Sequence, residues 1–339
     1  MLADATQPSS PASACSNGSF VTLITGARYA AAAACLPRQL AMVGSACNMS
    51  LVYDDTDAAM PVSMLQKAYG SDNMFAISAL KARYFEWLNG TKTKTDTHPH
   101  QHAKHGRRLY EGQETHNTHD KLWIFALPMK LAVFLDIDML ILREVDSLLS
   151  MEEQIPPDGI GACTCKSKYG ARYFNSGLLV FRPSFKMLQR LLAIDRWASS
   201  PWNGHIPHAN EKWPDICAPA DDPTAHHRMF PNATSSLHEC RNKYGPGRQP
   251  GMMAKACESK LTDQSIFNHV YTSHAAVNGL YNDAHHYMLD RSHIVHFVGE
   301  PKPWNTRGYN PKHNVNEQRW NATKEWQLRC APDLKTTKQ

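Results

Sequence analysis

Two aspartates, Asp136 and Asp138, interrupt an otherwise apolar segment, Leu131–Leu142, in the middle of the chain. A continuous apolar run is typical of a strand buried on both faces, where an unneutralised carboxylate is costly. Because strand side chains alternate, positions i and i+2 point to one side, so both aspartates can address one ligand. A divalent cation such as Mg²⁺ or Mn²⁺ removes their repulsion and commonly completes its shell with substrate phosphates. The pattern therefore predicts a metal site for a phosphate-bearing substrate.

The surrounding sequence predicts strands that alternate with helices. Phe20–Ile24 is β-rich and ends at a Thr-Gly turn, and Ala30–Cys35 has strong helix propensity. A second strand is expected near Ser50–Tyr53, and Val62–Leu88 carries helical spacing. This alternation implies a parallel sheet with its ligands at the carboxyl ends of the strands. The predicted fold class is therefore α/β, a single Rossmann-like domain with a mostly parallel central sheet.

The predicted domain covers residues 20–305, between a disordered N-terminal tail at 1–19 and a C-terminal tail at 306–339. Two long insertions are expected within it. The first, at about 89–120, contains six histidines among lysines and threonines, for which a solvated loop is favoured over a metal site. The second, at about 198–255, is rich in Pro, Gly, Asn and His and is expected near the rim of a site.

Composition excludes several classes of protein. The 339 residues, 42% of them hydrophobic, can bury a sizeable core. The net charge is only +5 and the Lys and Arg residues are scattered, so nucleic-acid binding is not expected. No stretch reaches the roughly 18 apolar residues of a membrane span. The nine cysteines show no disulfide or zinc spacing, which leaves reduced thiols as the default.

The compartment is open to two interpretations. Residues 1–19 contain no apolar secretory core, so the chain as written is expected to be cytoplasmic. Five Asn-x-Ser/Thr sequons would instead suit a secretory protein, and the alternative is a Golgi-lumen protein whose signal anchor is missing from this sequence. The sequons lie at Asn17, Asn48, Asn89, Asn232 and Asn321.

Further segments accompany the aspartate pair in a fixed order. They are Val21–Tyr29, Lys121–Leu127, Tyr173–Ser184, Thr262–Asn268 and Ile294–Asn305. Together with Phe134–Leu142 they resemble the glycogenin-like, family-eight retaining glycosyltransferases. The most specific match is the last, which is similar to the family's His-Phe-x-Gly-x-x-Lys-Pro-Trp segment. The resemblance implies the GT-A type of nucleotide-diphospho-sugar transferase fold.

The resemblance also implies how the nucleotide of the donor is held. The backbone at Leu23, with Thr25 and Tyr29, is expected at the uracil of a UDP-sugar. Asp136 is expected at the ribose as well as at the metal. The metal ligands implied are Asp136, Asp138 and His296, with Mn²⁺ (or Mg²⁺) as the cofactor.

A second set of residues is implied for the diphosphate and the transferred sugar. Lys302 is expected to neutralise the diphosphate, and Gly299 belongs to the same donor-binding segment. Lys121 is expected to reach the donor sugar. The "Phe-Asn-Ser-Gly" strand and the Asp-Gln pair supply the remaining contacts, namely Asn175, Ser176, Gly177, Asp263 and Gln264. The catalytic residues implied are Asp263, Gln264 and Lys302.

The function implied is retaining transfer of a hexosyl group, most simply glucose from UDP-glucose, to a glycan, protein or small-molecule acceptor. A homodimer is left open. Two departures from the glycogenin pattern argue against self-glucosylation. Lys260 stands where glycogenin has an acidic residue, and Gly26 stands where glycogenin has an Asn. A non-catalytic sugar-nucleotide or glycan-binding protein is therefore one alternative. A haloacid-dehalogenase-like phosphatase is another alternative, because its nucleophile motif also has two aspartates in this spacing. That motif, however, requires Thr or Val where this chain has Leu140.

Overall fold

The computed structural model describes residues 15, 18–91, 118–166, 172–199, 263–271, 274–284, 287–298, 302–305 and 317–335. The strands are β1 (Gly18–Ile24), β2 (Met49–Tyr53), β3 (Met74–Ala76), β4 (Leu131–Leu135), β5 (Met139–Ile141), β6 (Ile160–Lys166), β7 (Arg172–Phe181), β8 (Ala275–Val277) and β9 (Ile294–His296). The α-helices are α1 (Ala30–Met42), α2 (Val62–Tyr69), α3 (Ile77–Thr91), α4 (Phe185–Ser199), α5 (Asp263–Val270) and α6 (Glu317–Lys335).

Seven of these strands form a central sheet in the order β3-β2-β1-β4-β7-β6-β8. The β1–β2, β2–β3, β1–β4 and β6–β8 pairs are parallel, and β7 is antiparallel to both of its neighbours. Within the sheet, β7 alone therefore runs against the other strands. The prediction of an α/β fold with a mostly parallel central sheet is confirmed.

The side chains of β4 show why this sheet needs helices on both faces. Leu131, Val133 and Leu135 belong to the core beneath α1 and α2. The alternate residues Ala132 and Phe134 belong to the core on the other face, beneath α3, α4 and α5. All five are at most 1% exposed. A strand buried on both faces is apolar throughout, and this is the pattern that the sequence carries.

A second sheet joins two distant parts of the chain. β5 pairs antiparallel with β9, which sets Met139 opposite His296. The other edge of β5 is closed by the buried side chain of Gln39, whose Oε1 accepts from the Ile141 N–H at 2.8 Å and whose Nε2 donates to Met139 O at 3.4 Å. The amide of Gln39 thus satisfies backbone groups that a further strand would otherwise pair.

The predicted helical run Val62–Leu88 is wrong as a single element. α2 ends at Tyr69 because Gly70 takes φ +77°, a conformation that stops a helix. The chain then forms β3 on the edge of the sheet before α3 begins at Ile77. The apolar periodicity continues across this break because both helices cover the sheet, and periodicity does not report a short strand between them.

The two aspartates also lie in a different local structure from the one predicted. β4 ends at Leu135, and Asp136 and Asp138 lie in the turn that leads to β5. Alternation along a strand is therefore the wrong reason for their proximity. The turn is held by the Asp136 N–H, which donates to Gly177 O at 2.8 Å, and by Asp138 O, which accepts from the Phe297 N–H at 3.0 Å.

The C-terminal part differs from the predicted tail, because residues 317–335 form α6 against α1. Ala322, Trp326 and Cys330 on this helix are fully buried. The expectation of reduced thiols is also wrong, since the structure has the disulfides Cys15–Cys47 and Cys35–Cys330, the second across 295 residues of sequence. Without regular spacing, the cysteine positions carried no signal of either pairing.

The predicted insertions fall largely on residues 92–117 and 200–262, which lie outside the described residues. In the part of the chain that is described, no helix combines the length and the apolarity that a bilayer crossing needs. The domain limits 20–305 stay a prediction.

The Cys35–Cys330 bond should contribute strongly to stability because it closes a long loop and anchors α6. We expect Cys330→Ser to lower the free energy of unfolding by about 2–5 kcal/mol. Denaturant unfolding followed by circular dichroism measures the change, and non-reducing peptide mapping of the wild type identifies the cross-linked peptides. Equal free energies of unfolding in the wild type and in Cys330→Ser would contradict this account of α6.

Candidate active site

Asp136, Asp138 and His296 converge at the carboxyl end of β4. The β5–β9 register sets His296 beside the turn, with its Nε2 3.3 Å from Asp138 Oδ1 and 3.8 Å from Asp136 Oδ2. One ligand atom from each of the three residues lies within 4.8 Å of the others. Asp138 and His296 are 6% and 3% exposed, so the cluster is largely shielded from water.

Lys121 connects this cluster to a third carboxylate. It lies on the 3₁₀ helix Thr118–Ala126, and its Nζ is 2.9 Å from both Asp136 Oδ1 and Asp263 Oδ2. Burial alone would lower the pKa of Lys121, but the carboxylates of Asp136 and Asp263 outweigh burial and raise that pKa above its ordinary value. Lys121 is therefore a permanent buried cation.

Lys302 neutralises the other aspartate. Its ammonium group donates to Asp138 Oδ2 and, at 3.0 Å, to Phe297 O. Burial alone would raise the pKa of Asp138, but His296 and Lys302 outweigh it and hold that pKa well below the usual range. Asp138 is therefore a carboxylate that is ionised at any physiological pH.

The charges in the cluster do not cancel. Three carboxylates (Asp136, Asp138, Asp263) contact two ammonium groups (Lys121, Lys302), so the cluster carries −1 before His296 is counted. For Asp136, burial and the neighbouring carboxylates together raise the pKa, despite the opposing effect of Lys121. Two carboxylates and an imidazole form a donor set that suits Mn²⁺ or Mg²⁺, and the residual negative charge favours a cation.

The antiparallel strand β7 places the "Asn-Ser-Gly" residues beside the cluster. Leu178 pairs with Leu135, so the residues before it extend past the end of β4. Ser176 Oγ donates to Asp263 Oδ2 at 2.8 Å. Gln264 Oε1 accepts from Ser176 N and from Asn175 Nδ2, both at 3.1 Å. The start of α5 is thereby fixed against β7.

Gly177 is required by the packing of this cluster. A Cβ atom on Gly177 would lie 2.3 Å from His296 Cε1, 2.9 Å from Asp136 Oδ2 and 2.8 Å from Asn175 Oδ1. Such distances leave no room for any side chain. The absence of a side chain at Gly177 leaves room for the imidazole of His296, and its expected contact with the donor stays a prediction.

The residues expected at the uracil lie along the neighbouring strand. Leu23 is in β1, which is parallel to β4, and Thr25 and Tyr29 follow the carboxyl end of β1. The Tyr29 ring packs edge-on against Trp304, with centroids 6.1 Å apart. Trp304 lies two residues from Lys302, so the two segments are in contact. Gly299 and Lys260 lie outside the described residues.

One polar residue of the cluster was missed by sequence reasoning. Asn282 is 8% exposed and bonds both His296 and Asn175. It follows the 3₁₀ turn Gly279–Tyr281, in a segment without strand or helix periodicity. A single asparagine in such a segment carries no spacing signal, which explains why it was not identified.

Several solved structures are similar to this chain at low sequence identity. Neither a protein-family model nor a curated protein matches the sequence. Among solved structures, the galactosyltransferase LgtC with donor and acceptor sugar analogs is 15% identical, with a TM-score of 0.46 over 93% of this chain and 95% of that one. The glycosyltransferase GlyE of Streptococcus pneumoniae TIGR4 is 13% identical, with a TM-score of 0.44 over 95% and 64%. Mouse xyloside xylosyltransferase 1 is 12% identical, with a TM-score of 0.39 over 84% and 99%.

The close packing at Gly177 yields a direct test. Gly177→Ala should displace His296 from the aspartates, and any Mn²⁺ affinity of this candidate site should fall by about 10-fold or more, as expected when a supporting contact of a metal ligand is disturbed. Electron paramagnetic resonance of free Mn²⁺ measures the affinity. Gly90→Ala is the matched control, because a Cβ at Gly90 meets nothing within 4 Å. Equal affinities in the two variants would contradict the packing argument.

Proposed function

We propose that this protein is a metal-dependent retaining glycosyltransferase that moves a hexosyl group, most simply glucose from UDP-glucose, to an acceptor. The acceptor is a glycan, a protein or a small molecule. The proposal takes residues 20–305 as the catalytic domain of GT-A type. It rests on the chemistry of the cluster and on the resemblance of its sequence motifs to those of glycosyltransferases. We also propose that the protein belongs to the glycogenin-like family.

The observation that carries the proposal is the convergence of Asp136 and Asp138 with His296. These residues are separated by more than 150 positions of sequence, yet their ligand atoms lie within 4.8 Å of one another. The cluster is adjacent to the carboxyl edge of a parallel sheet, where open α/β folds bind ligands. A hard cation held there would suit a substrate that carries a diphosphate.

Asp136, Asp138 and His296 would hold a divalent cation, which would supply Lewis-acid stabilisation of the departing nucleotide diphosphate. In the proposed reaction Lys302 adds positive charge on the same side, since its ammonium group already contacts Asp138. The uracil is held by Thr25, Tyr29 and the backbone at Leu23. Gly299 is assigned to the segment that binds the diphosphate. Asp136 also contacts the ribose.

The residues of the transferred sugar are proposed at the junction of β7 and α5. Asn175, Ser176, Asp263 and Gln264 are already fixed to one another by hydrogen bonds, so the sugar meets an arrangement that needs little reordering. Lys121 holds Asp263 and Asp136 in a common position. Retention is proposed through attack on the face from which the diphosphate leaves.

A donor panel tests the function. The purified protein is incubated with Mn²⁺ and with UDP-glucose, UDP-galactose, UDP-glucuronic acid and UDP-N-acetylglucosamine, and UDP release is measured. We expect release from one donor and its loss on chelation. UDP binding without turnover would favour a non-catalytic binding protein, and release of phosphate from simple esters would favour a phosphatase.

The metal ligand Asp138 gives the sharpest mutational test. Asp138→Ala should lower both donor hydrolysis and transfer by at least about 100-fold, the loss expected for deleting one electrostatic element of an active site. Steady-state UDP release measures it. Asp158→Ala is the control, because Asp158 is 44% exposed and pairs only with Lys186 among the described residues. Wild-type turnover that persists in Asp138→Ala with metal chelated would defeat the proposal.

We also propose an oxidising compartment, in place of the cytoplasm that the sequence suggested. Disulfides form and persist in secretory compartments and are rare in the cytosol. The bonds Cys15–Cys47 and Cys35–Cys330 therefore favour the secretory lumen. The Golgi lumen fits both these bonds and the sequons.

This location predicts N-linked glycans on the exposed sequons. Asn48 and Asn89 both have exposed side chains, so we expect glycopeptides that contain them. Mass spectrometry of protein isolated from its native source, with and without peptide N-glycosidase, makes the measurement. Unmodified asparagines together with reduced Cys35 and Cys330 would contradict an oxidising compartment.

A further inference from the structure

Asn282 lies between the metal-binding cluster and the sugar-side residues. Its Oδ1 is 2.9 Å from His296 Nδ1, and its Nδ2 is 3.2 Å from Asn175 Oδ1. Asn175 Nδ2 in turn donates to Gln264 Oε1. A chain of side-chain hydrogen bonds thus runs from His296 through Asn282 and Asn175 to Gln264.

Two backbone N–H groups fix the direction of this chain. The Gly177 N–H donates to Asn175 Oδ1 at 2.8 Å, so the atom at that position must be the amide oxygen. The Ser176 N–H donates to Gln264 Oε1 at 3.1 Å, which makes that atom an acceptor too. The remaining amide group of Asn175 is therefore its NH₂, which faces the Gln264 oxygen.

The direction then extends to the imidazole. Because Asn175 Oδ1 only accepts hydrogen bonds, Asn282 must present its NH₂ to it. The oxygen of Asn282 therefore faces His296 Nδ1, and this ring nitrogen must carry the proton. The other ring nitrogen, Nε2, is the one that lies 3.3 Å from Asp138 Oδ1.

The backbone around His296 leaves the ring orientation to Asn282. The His296 N–H donates to Asp283 O at 3.0 Å. Asp283 Oδ2 accepts from Met288 N and Ser292 Oγ, at 2.8 and 2.7 Å, which holds this loop against β9. These bonds fix the position of the His296 backbone, but they do not decide which ring nitrogen points at the aspartates.

We propose that Asn282 is a positioning residue that keeps the proton of His296 on Nδ1 and directs Nε2 at a divalent cation held with Asp136 and Asp138. The cation rests on the proposed function, whereas the position of the proton does not. A metal-binding imidazole needs its other nitrogen to donate to a fixed partner, and Asn282 is that partner. The same residue couples His296 to Asn175, so the cation side and the sugar side share one support.

The test compares Asn282→Leu with Asn282→Asp. Leucine has a similar size and removes both hydrogen bonds, so Mn²⁺ affinity should fall by about 10–100-fold. Aspartate keeps an oxygen opposite Nδ1 and should restore most of that loss, although it cannot donate to Asn175. Asn73→Leu is the matched control, because Asn73 Nδ2 donates to Tyr69 O at 2.9 Å and Asn73 precedes the edge strand β3, away from the site. Isothermal titration with Mn²⁺ measures each affinity.

A spectroscopic measurement reads the tautomer directly. Long-range ¹H–¹⁵N spectra of the ring nitrogens, assigned by comparison with His296→Gln, should show a protonated Nδ1 in the wild type and with Mg²⁺. Asn282→Leu should lose this signature and Asn282→Asp should keep it. This reading uses the metal-free wild type as well, so it decides the question even where Asn282→Leu does not fold.

The proposal would be overturned by an unprotonated Nδ1 in the wild type, or by equal Mn²⁺ affinities in Asn282→Leu and Asn282→Asp. The second result would mean that Asn282 acts only through packing. A wild type that shows the protonated Nδ1 but binds no Mn²⁺ would overturn the proposed function and the metal-directing role, while the position of the proton would stand.

Discussion

Three carboxylates, of which Asp138 and Asp263 are buried, share two ammonium groups at the end of β4, and this imbalance governs the arrangement around it. Lys121 bridges Asp136 and Asp263, and Lys302 contacts Asp138, yet one negative charge remains before His296 is counted. Buried carboxylates are tolerated only where opposite charge and hydrogen bonds compensate their loss of water. Ser176 therefore donates to Asp263, and Asn282 bonds the imidazole of His296 that faces Asp138.

The scaffold supplies this arrangement through one reversed strand. If β7 were parallel to β4, its first residues would lie at the opposite edge of the sheet. Because β7 is antiparallel, Asn175, Ser176 and Gly177 reach the carboxyl end of β4 instead. The missing side chain at Gly177 then admits His296 from the second sheet. Strand direction and one glycine together decide which polar groups meet.

The sequence predicted the parts of the molecule that strong local patterns encode. The apolar run before Asp136 marked a strand buried on both faces, and the alanine-rich run Ala30–Cys35 marked α1. The local geometry at Asp136 and Asp138 was mispredicted, because an apolar run does not reveal where a strand ends and a turn begins. Their grouping with His296 followed from motif order, since no local pattern relates residues so far apart.

Other features could not be read from one sequence because they depend on contacts between distant residues. Cys35 and Cys330 meet only when α6 packs on α1. Asn282 becomes informative only when β9 brings His296 next to it. The sequence shows a glycine at position 70, but it does not show that the strand β3 after it forms by pairing with β2.

The pairing of β5 with β9 has a consequence for how the molecule is made. Met139 and His296 are neighbours in space but belong to opposite halves of the polypeptide. Contacts of such high sequence separation form late, because the intervening loop must lose its conformational freedom first. During synthesis the ribosome must therefore complete almost the whole chain before an imidazole can join the two aspartates. A nascent chain carries the aspartates without their third partner. An ion that binds all three residues therefore stabilises only the finished protein.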